Sequence, residues 1–325
     1  LSTLLIPIMM AKEGWDDHDR SDRYTATEFA KNYLRSCEPN AILFTMGDND
    51  TFPLWYVQEV EGFRTDVRIV NLSLLNTDWY IDQMKRDAYN GLRVPFTLDR
   101  DKYKQGTRDV AIFIDKGVNE KRLLLTDFNR WIKSDKKETK INIGKDYDFF
   151  YTKKIRIPVS EKEKNKYNTQ DSIPDYIDVD LNTTQLEKKD IMILDLIEEN
   201  NWERPLYFAI TIGSSGRSFL YLDKYFRLDG MAYKLTPINY RKNMELEKGD
   251  IGGINSDTLY NILMNRYQWG NLNSNIYLDE TNLRMTMNFR NNFSRLAQQL
   301  ILENKLDSAR LVLDNCLLVM PANKV

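Results

Sequence analysis

The strongest constraint on this chain is an alternation in its first third. Short apolar runs end in small or acidic residues, and each is followed by a stretch with apolar side chains at helical spacing. Leu4 to Met10 reads as a buried strand. After the polar Trp15 to Asp22, Thr25 with Glu28 three residues on reads as a capping box. It opens a helix to about Arg35 with Ala26, Phe29, Ala30, Tyr33 and Leu34 on one face. Ala41 to Met46 is the next strand, broken at Gly47-Asp48-Asn49-Asp50, and Pro53 suits the first turn of a helix that ends at Gly62. Val67 to Leu75 is a third strand, broken by Asn76-Thr77-Asp78 before a helix over Trp79 to Tyr89. Parallel neighbours need a crossover, and crossovers are right-handed in nearly all cases. The pattern therefore predicts three parallel strands side by side with their carboxyl ends together.

Beyond Gly91 the pattern predicts a strand over Asp109 to Asp115, a helix over Asn119 to Lys133, and a charged surface excursion from Lys153 to Asp180. A helix over Gln185 to Asn200 and a strand over Pro205 to Ile212 follow. From Arg290 to Asn323, Phe293, Leu296, Ala297, Leu300, Ala309, Leu313, Cys316 and Pro321 stand at the spacings of a tetratricopeptide repeat, with helices expected at Asn291 to Glu303 and Leu306 to Val319. The fold class expected is α/β: a three-layer Rossmann-like domain with parallel strands over 1–243, a linker over 244–255, and an all-α tetratricopeptide-like helical domain over 256–325.

Composition narrows the function. Lys and Arg number 46 against 48 Asp and Glu, for a net charge of -2, and no local basic stripe is found, so nucleic acid is not expected as a partner. Cys37 and Cys316 are far apart and form neither a CxxC pair nor a disulfide framework. The opening run Leu1 to Met10 is too short to span a bilayer and lacks the flanks of a signal peptide, so the chain reads as a piece of something longer. GxSxG, Walker A, GxGxxG and HExxH motifs are absent from the sequence.

Three loops at the expected strand ends carry carboxylates and amides: Asp16, Asp17, His18 and Asp19; Asp48, Asn49 and Asp50; Asn76 and Asp78. Ligands of open α/β sheets sit at the carboxyl ends of the strands, and this donor set suits a hard divalent cation, Ca²⁺ or Mg²⁺, or the hydroxyls of a sugar. The same residues also suit plain structure. Asp50 or Thr51 and Thr77 or Asp78 are preferred N-cap types, and Asp16 to Asp19 with Arg20 and Arg23 make a salt-bridged turn. Trp55 and Trp79, beside Tyr56 and Tyr80, suit stacking on a sugar ring or packing in the core. Gly213 to Gly216 with Arg217 fits a phosphate cradle or a glycine turn. On the repeat, Asn291, Asn292 and Arg295 are expected to face a partner peptide.

The stretches Trp15 to Arg23, Asn40 to Trp55, Asn71 to Arg86, Asn201 to Phe208 and Leu222 to Leu235 together resemble the soluble part of a bacterial family of multi-spanning membrane proteins of unassigned function. That family is similar to the protein O-mannosyltransferases, membrane-embedded glycosyltransferases that use lipid-linked sugar donors. The resemblance implies a polytopic catalytic portion ahead of Leu1, and a place for this chain on the periplasmic side of the bacterial inner membrane. No residue here matches that class's catalytic carboxylate, so the chain is expected to be an accessory domain, not catalytic by itself. Its implied partners are an acceptor protein or sugar and its own membrane portion. Two other readings are an independent metal-assisted enzyme centred on Asp16 to Asp19 and Asp48 to Asp50, and a repeat-based scaffold.

Overall fold

The computed structural model describes residues 2–19, 21–167, 173–212, 221–240, 251–274 and 276–322. Its helices are α1 (Ser2–Glu13), α2 (Trp15–His18), α3 (Thr25–Ser36), α4 (Asp48–Glu59), α5 (Asp78–Met84), α6 (Arg100–Tyr103), α7 (Leu125–Ile132), α8 (Glu161–Lys164), α9 (Lys188–Asn200), α10 (Ser256–Tyr260), α11 (Glu280–Leu302) and α12 (Leu306–Val319). Its strands are β1 (Ile42–Thr45), β2 (Arg68–Asn71), β3 (Val110–Phe113), β4 (Leu123–Leu124), β5 (Lys140–Asn142), β6 (Asp146–Phe150), β7 (Lys154–Pro158), β8 (Tyr176–Asp180), β9 (Gln185–Glu187), β10 (Leu206–Ala209), β11 (Phe226–Asp229) and β12 (Ala232–Leu235). The fold is mixed α/β with both parallel and antiparallel pairing.

The main sheet runs β11-β12-β10-β1-β2. β1 lies between β10 and β2 and is parallel to both, with Ile42 opposite Arg68 on one side and Leu206 on the other. Every residue of β1, β2 and β10 is buried, as expected of parallel strands covered on both faces. β12 and β11 extend the sheet antiparallel, so it is not all-parallel. Two smaller sheets, β5-β6-β3-β9 and β4-β7-β8, build the middle of the chain. α9 is buried along almost its whole length, the charged Lys188, Asp190 and Asp195 included, and packs on α7.

Several sequence expectations change. Leu4 to Met10 is no strand but most of α1, with Leu4, Leu5, Ile6, Ile8, Met9 and Met10 all exposed. Among the described residues no strand pairs with it, and a helix satisfies its own backbone where a lone strand cannot. Its expected place next to β1 belongs to β10. The capping box is not formed: Tyr24 is the N-cap, the Thr25 hydroxyl is buried without a partner, and Glu28 pairs with Arg35. α4 starts at Asp48, so Pro53 lies in its second turn. Lys153 to Asp180 is in part a paired ribbon in which Ile155 meets Val179 and Ile157 meets Ile177, all four buried. Their period-two alternation is interleaved with charges, which hid it. The helix expected from Asn119 is the shorter α7, preceded by β4, and the one expected to Tyr89 ends at Met84.

Toward the C-terminus, α12 covers the expected residues, whereas α11 begins at Glu280, capped by Asp279, whose side chain accepts from the Asn282 N–H at 2.9 Å. One connected set of buried apolar residues reaches from Phe29 to Met320. α11 joins it through Phe289, whose ring stands edge-on to Phe29 at 5.7 Å between centroids.

Candidate functional site

β1 delivers the chain to Gly47, whose φ of +91° is open to glycine and costly to other residues, and the turn it makes starts α4. Asp48, Asn49 and Asp50 form the first turn of that helix, where backbone N–H groups favour carboxylates. Thr51 locks the turn. Its hydroxyl donates to the Gly47 carbonyl at 2.6 Å, lies 2.8 Å from the Thr45 hydroxyl, and accepts from Asn71 Nδ2 at 3.0 Å. The ends of β1 and β2 are thus tied together.

On the other side of β1 stands β10, continued by the turn Ile210–Ile212. The Thr211 hydroxyl donates to Asp50 Oδ2 at 2.6 Å and lies 3.2 Å from the Tyr33 hydroxyl of α3. Asp50 is 2% exposed. Burial pushes its carboxyl above the usual carboxylate range, against the pull of the Thr211 hydroxyl and the backbone N–H groups of Asp50, Met46 and Thr51. Burial, and then the Asp50 charge, likewise raise the Tyr33 phenol well above its ordinary value. The strand that follows β1 is β2, on one side, and the strands that follow β10 are β11 and β12, both on the opposite side. The crevice between two strands whose connections diverge is where open α/β sheets take ligands. Asp50 and Thr211 bridge it.

A cleft of about 240 Å³ lies over this bridge. One wall is Gly47, Asp48, Asn49 and Asp50 with Thr211; the other is α11, through Thr281, Arg284 and Asn288; Phe29, Met46 and Met285 supply apolar surface. Asp48 and Asn49 are exposed to it. Arg284 is paired with Glu280 at 2.5 Å on the exposed face of α11.

The other sequence candidates are placed elsewhere. Asn76 ties the 74–76 turn to α9, accepting from the Lys189 N–H at 2.9 Å and donating to Glu187 at 3.3 Å. Asp78 accepts from the N–H groups of Trp79 and Gln105, which holds its carboxyl below the ordinary range. Neither residue lines the cleft. His18 is exposed, with Nδ1 2.7 Å from the Gly14 carbonyl; Asp19 accepts from the Ser21 N–H at 2.8 Å. The backbone of Asp16 and Asp17 is in α2, and their side chains lie outside the described part, as does the whole of Gly213 to Arg217. Trp55 is half-buried against Phe52, and Trp79 is exposed with its edge to Tyr80. Among the described residues no three His, Cys, Asp or Glu side chains converge to hold a metal ion.

Of the expected partner surface only Asn291 is exposed. Asn292 and Arg295 are buried and turned toward the sheet: Asn292 donates to the Gly230 carbonyl at 2.8 Å, and Arg295 to the Tyr233 hydroxyl at 3.2 Å and the Ile251 carbonyl at 3.1 Å. They serve packing, because the face of α11 that carries them also carries Phe289, Phe293 and Leu296. Sequence reasoning missed Tyr33, Thr211 and the α11 wall. Thr211 had a usable signal, since it closes the strong β-run 205–212.

A model of the family described as TMEM260-associated domain 2 matches residues 26–258, which include both cleft-bearing strand ends. A mouse relative, "Protein O-mannosyl-transferase TMEM260", is 29% identical over 86 residues. That stretch is 26% of this chain and 12% of the mouse protein, so the chain corresponds to a small part of that relative's length. No solved structure matches the chain. Among the described residues no helix is long and apolar enough to cross a membrane.

Proposed function

Because the chain belongs to the TMEM260-associated domain 2 family, we propose that it is the accessory, acceptor-gripping domain of a protein O-mannosyltransferase-like membrane protein. Chemistry is done elsewhere in that protein, and the acceptor, polypeptide or sugar, is held in the cleft over Asp50. The observation that carries this is the buried Asp50 bridged to Thr211 across the diverging ends of β1 and β10. A carboxylate is kept out of water there at a cost, in the place where such sheets bind ligands.

The finer expectations join this reading. The β10-β1-β2 core with α3 and α4 is the Rossmann-like part. α11 and α12 form a tetratricopeptide-like pair in which the small, buried Ala297 and Ala309 support close approach. α1 lies at the periplasmic face of a bacterial inner membrane: its exposed apolar side chains are followed by Lys12 and the exposed Trp15, the residue types that anchor helices at a lipid–water boundary.

The test is made in the whole protein, measuring glycosyl transfer to its acceptor. Asp48→Ala with Asn288→Ala should raise KM for the acceptor several-fold and leave kcat in place. A loss of kcat at unchanged KM overturns the accessory role, because it puts the cleft in the chemical step.

A further inference from the structure

We infer that the cleft between the first turn of α4 and the outer half of α11 takes a single neutral hexose ring. This rests on the reading of the cleft as the ligand-bearing surface, and deepens it by naming the ligand class. Each sugar hydroxyl both donates and accepts, so a site for one needs acceptors and donors in alternation. Asp48 supplies acceptors, Arg284 donors, and Asn49 and Asn288 both. They stand on two opposed elements, and the exposed Met46, beside the buried Phe29 and Met285, gives the cleft an apolar lining for the C–H face of a ring. Asp50 and Thr211, already engaged with each other, position the α4 wall.

Charge decides against other ligands. Two carboxylates share one wall, and the cation opposite is neutralised by Glu280, so a sugar phosphate or sugar nucleotide is repelled. A hard divalent cation needs six to eight oxygens, roughly, and among the described residues no cluster of three acidic or histidine groups exists. Size decides the length. At about 240 Å³ the cleft is just below the range of about 300–1,000 Å³ usual for small-molecule pockets, which suits one ring and not a chain of them.

The experiment titrates the chain with D-mannose, D-glucose and D-galactose, following the side-chain amide resonances of Asn49 and Asn288. Glucose 6-phosphate, calcium chloride and a short Ser/Thr peptide are run beside them. At least one hexose should shift both amides saturably, and glucose 6-phosphate should bind more weakly than glucose. Asp48→Ala should weaken the hexose by about tenfold or more with the melting temperature unchanged. The inference is overturned if no hexose moves these resonances, if Asp48→Ala binds hexose as the parent does, or if the phosphate, the cation or the peptide takes the site in preference. If hexoses fail and the cleft variants still raise the acceptor KM in the whole protein, the sugar assignment falls and the accessory role stands. Hexose binding with an unmoved acceptor KM sinks the accessory role alone.

Discussion

Phe289 is the residue through which α11 is seated against α3 and the 267–269 segment, and Phe289→Ala measures how firmly the cleft's second wall is held. The ring is 1% exposed and stands edge-on to three others: Phe29 at 5.7 Å, Trp269 at 5.0 Å and Tyr267 at 5.9 Å. Phe→Ala in a core costs about 3–5 kcal/mol from lost transfer energy and the cavity left behind. Three edge-to-face partners at about 0.5–1.5 kcal/mol each place this site at the upper end, roughly 4–5 kcal/mol. Unfolding entropy of about 2.1 cal/mol/K per residue, taken over 325 residues, turns that into a melting shift of roughly 6–7 °C. Urea unfolding should show a lower midpoint at unchanged m. Leu302→Ala, at a residue 78% exposed, is the control and should stay within about 0.5 kcal/mol. A loss below about 1 kcal/mol, or a separate early transition for the helices, would refute the shared core and leave the cleft with a detachable wall.

Burial pushes the Asp190 carboxyl from its ordinary 3.8 up to about 6, with Lys189 and the Glu187 N–H working against the rise. The folded state therefore holds this proton more tightly than the unfolded chain, so its contribution to stability is full below about pH 4 and is lost as pH rises to about 6. Asp190→Asn should flatten that part of the stability–pH curve; an unchanged slope means the carboxyl is not raised. Ala309, 3% exposed in α12, should resist enlargement: Ala309→Phe is expected to cost about 1–3 kcal/mol in urea unfolding, and an unmoved midpoint would show slack between α11 and α12.

What was legible in the sequence was what short-range pattern decides. β1, α4 and β2 were read in order and in parallel because a crossover unit is local and its hand is fixed. α1 was misread because a run of about seven apolar residues carries no period that separates strand from helix. β7 and β8 were passed over because charges interleave with Ile155, Ile157, Ile177 and Val179, and alternation of that kind is visible only when polar positions are counted as part of it. The antiparallel edge of β11 and β12 has no signal at the strand itself that distinguishes it from a parallel neighbour.

The site divides along the same line. Asp48 to Asp50 were found because a glycine and three polar residues after a strand mark its carboxyl end, whatever the rest of the fold. The opposite wall lies more than two hundred residues on, and only tertiary packing brings it there. Yet α11 carried a clue that was read the wrong way. Asn292 falls three residues after Phe289 and four before Leu296, which puts it on the apolar stripe, and Arg295 stands three further on along the same face. Polar side chains on a buried stripe must meet polar groups of whatever covers it. Here they meet the backbone of the β11–β12 hairpin and its neighbour, at the carbonyls of Gly230 and Ile251. Gly230 has a φ of +71°, and a Cβ there would stand 2.0 Å from the Tyr267 hydroxyl, so this turn packs under Tyr267 only because the residue is glycine. The stripe's two polar residues were therefore marks of an intramolecular seat, and the cleft exists because that seat fixes the helix over β1 and β10.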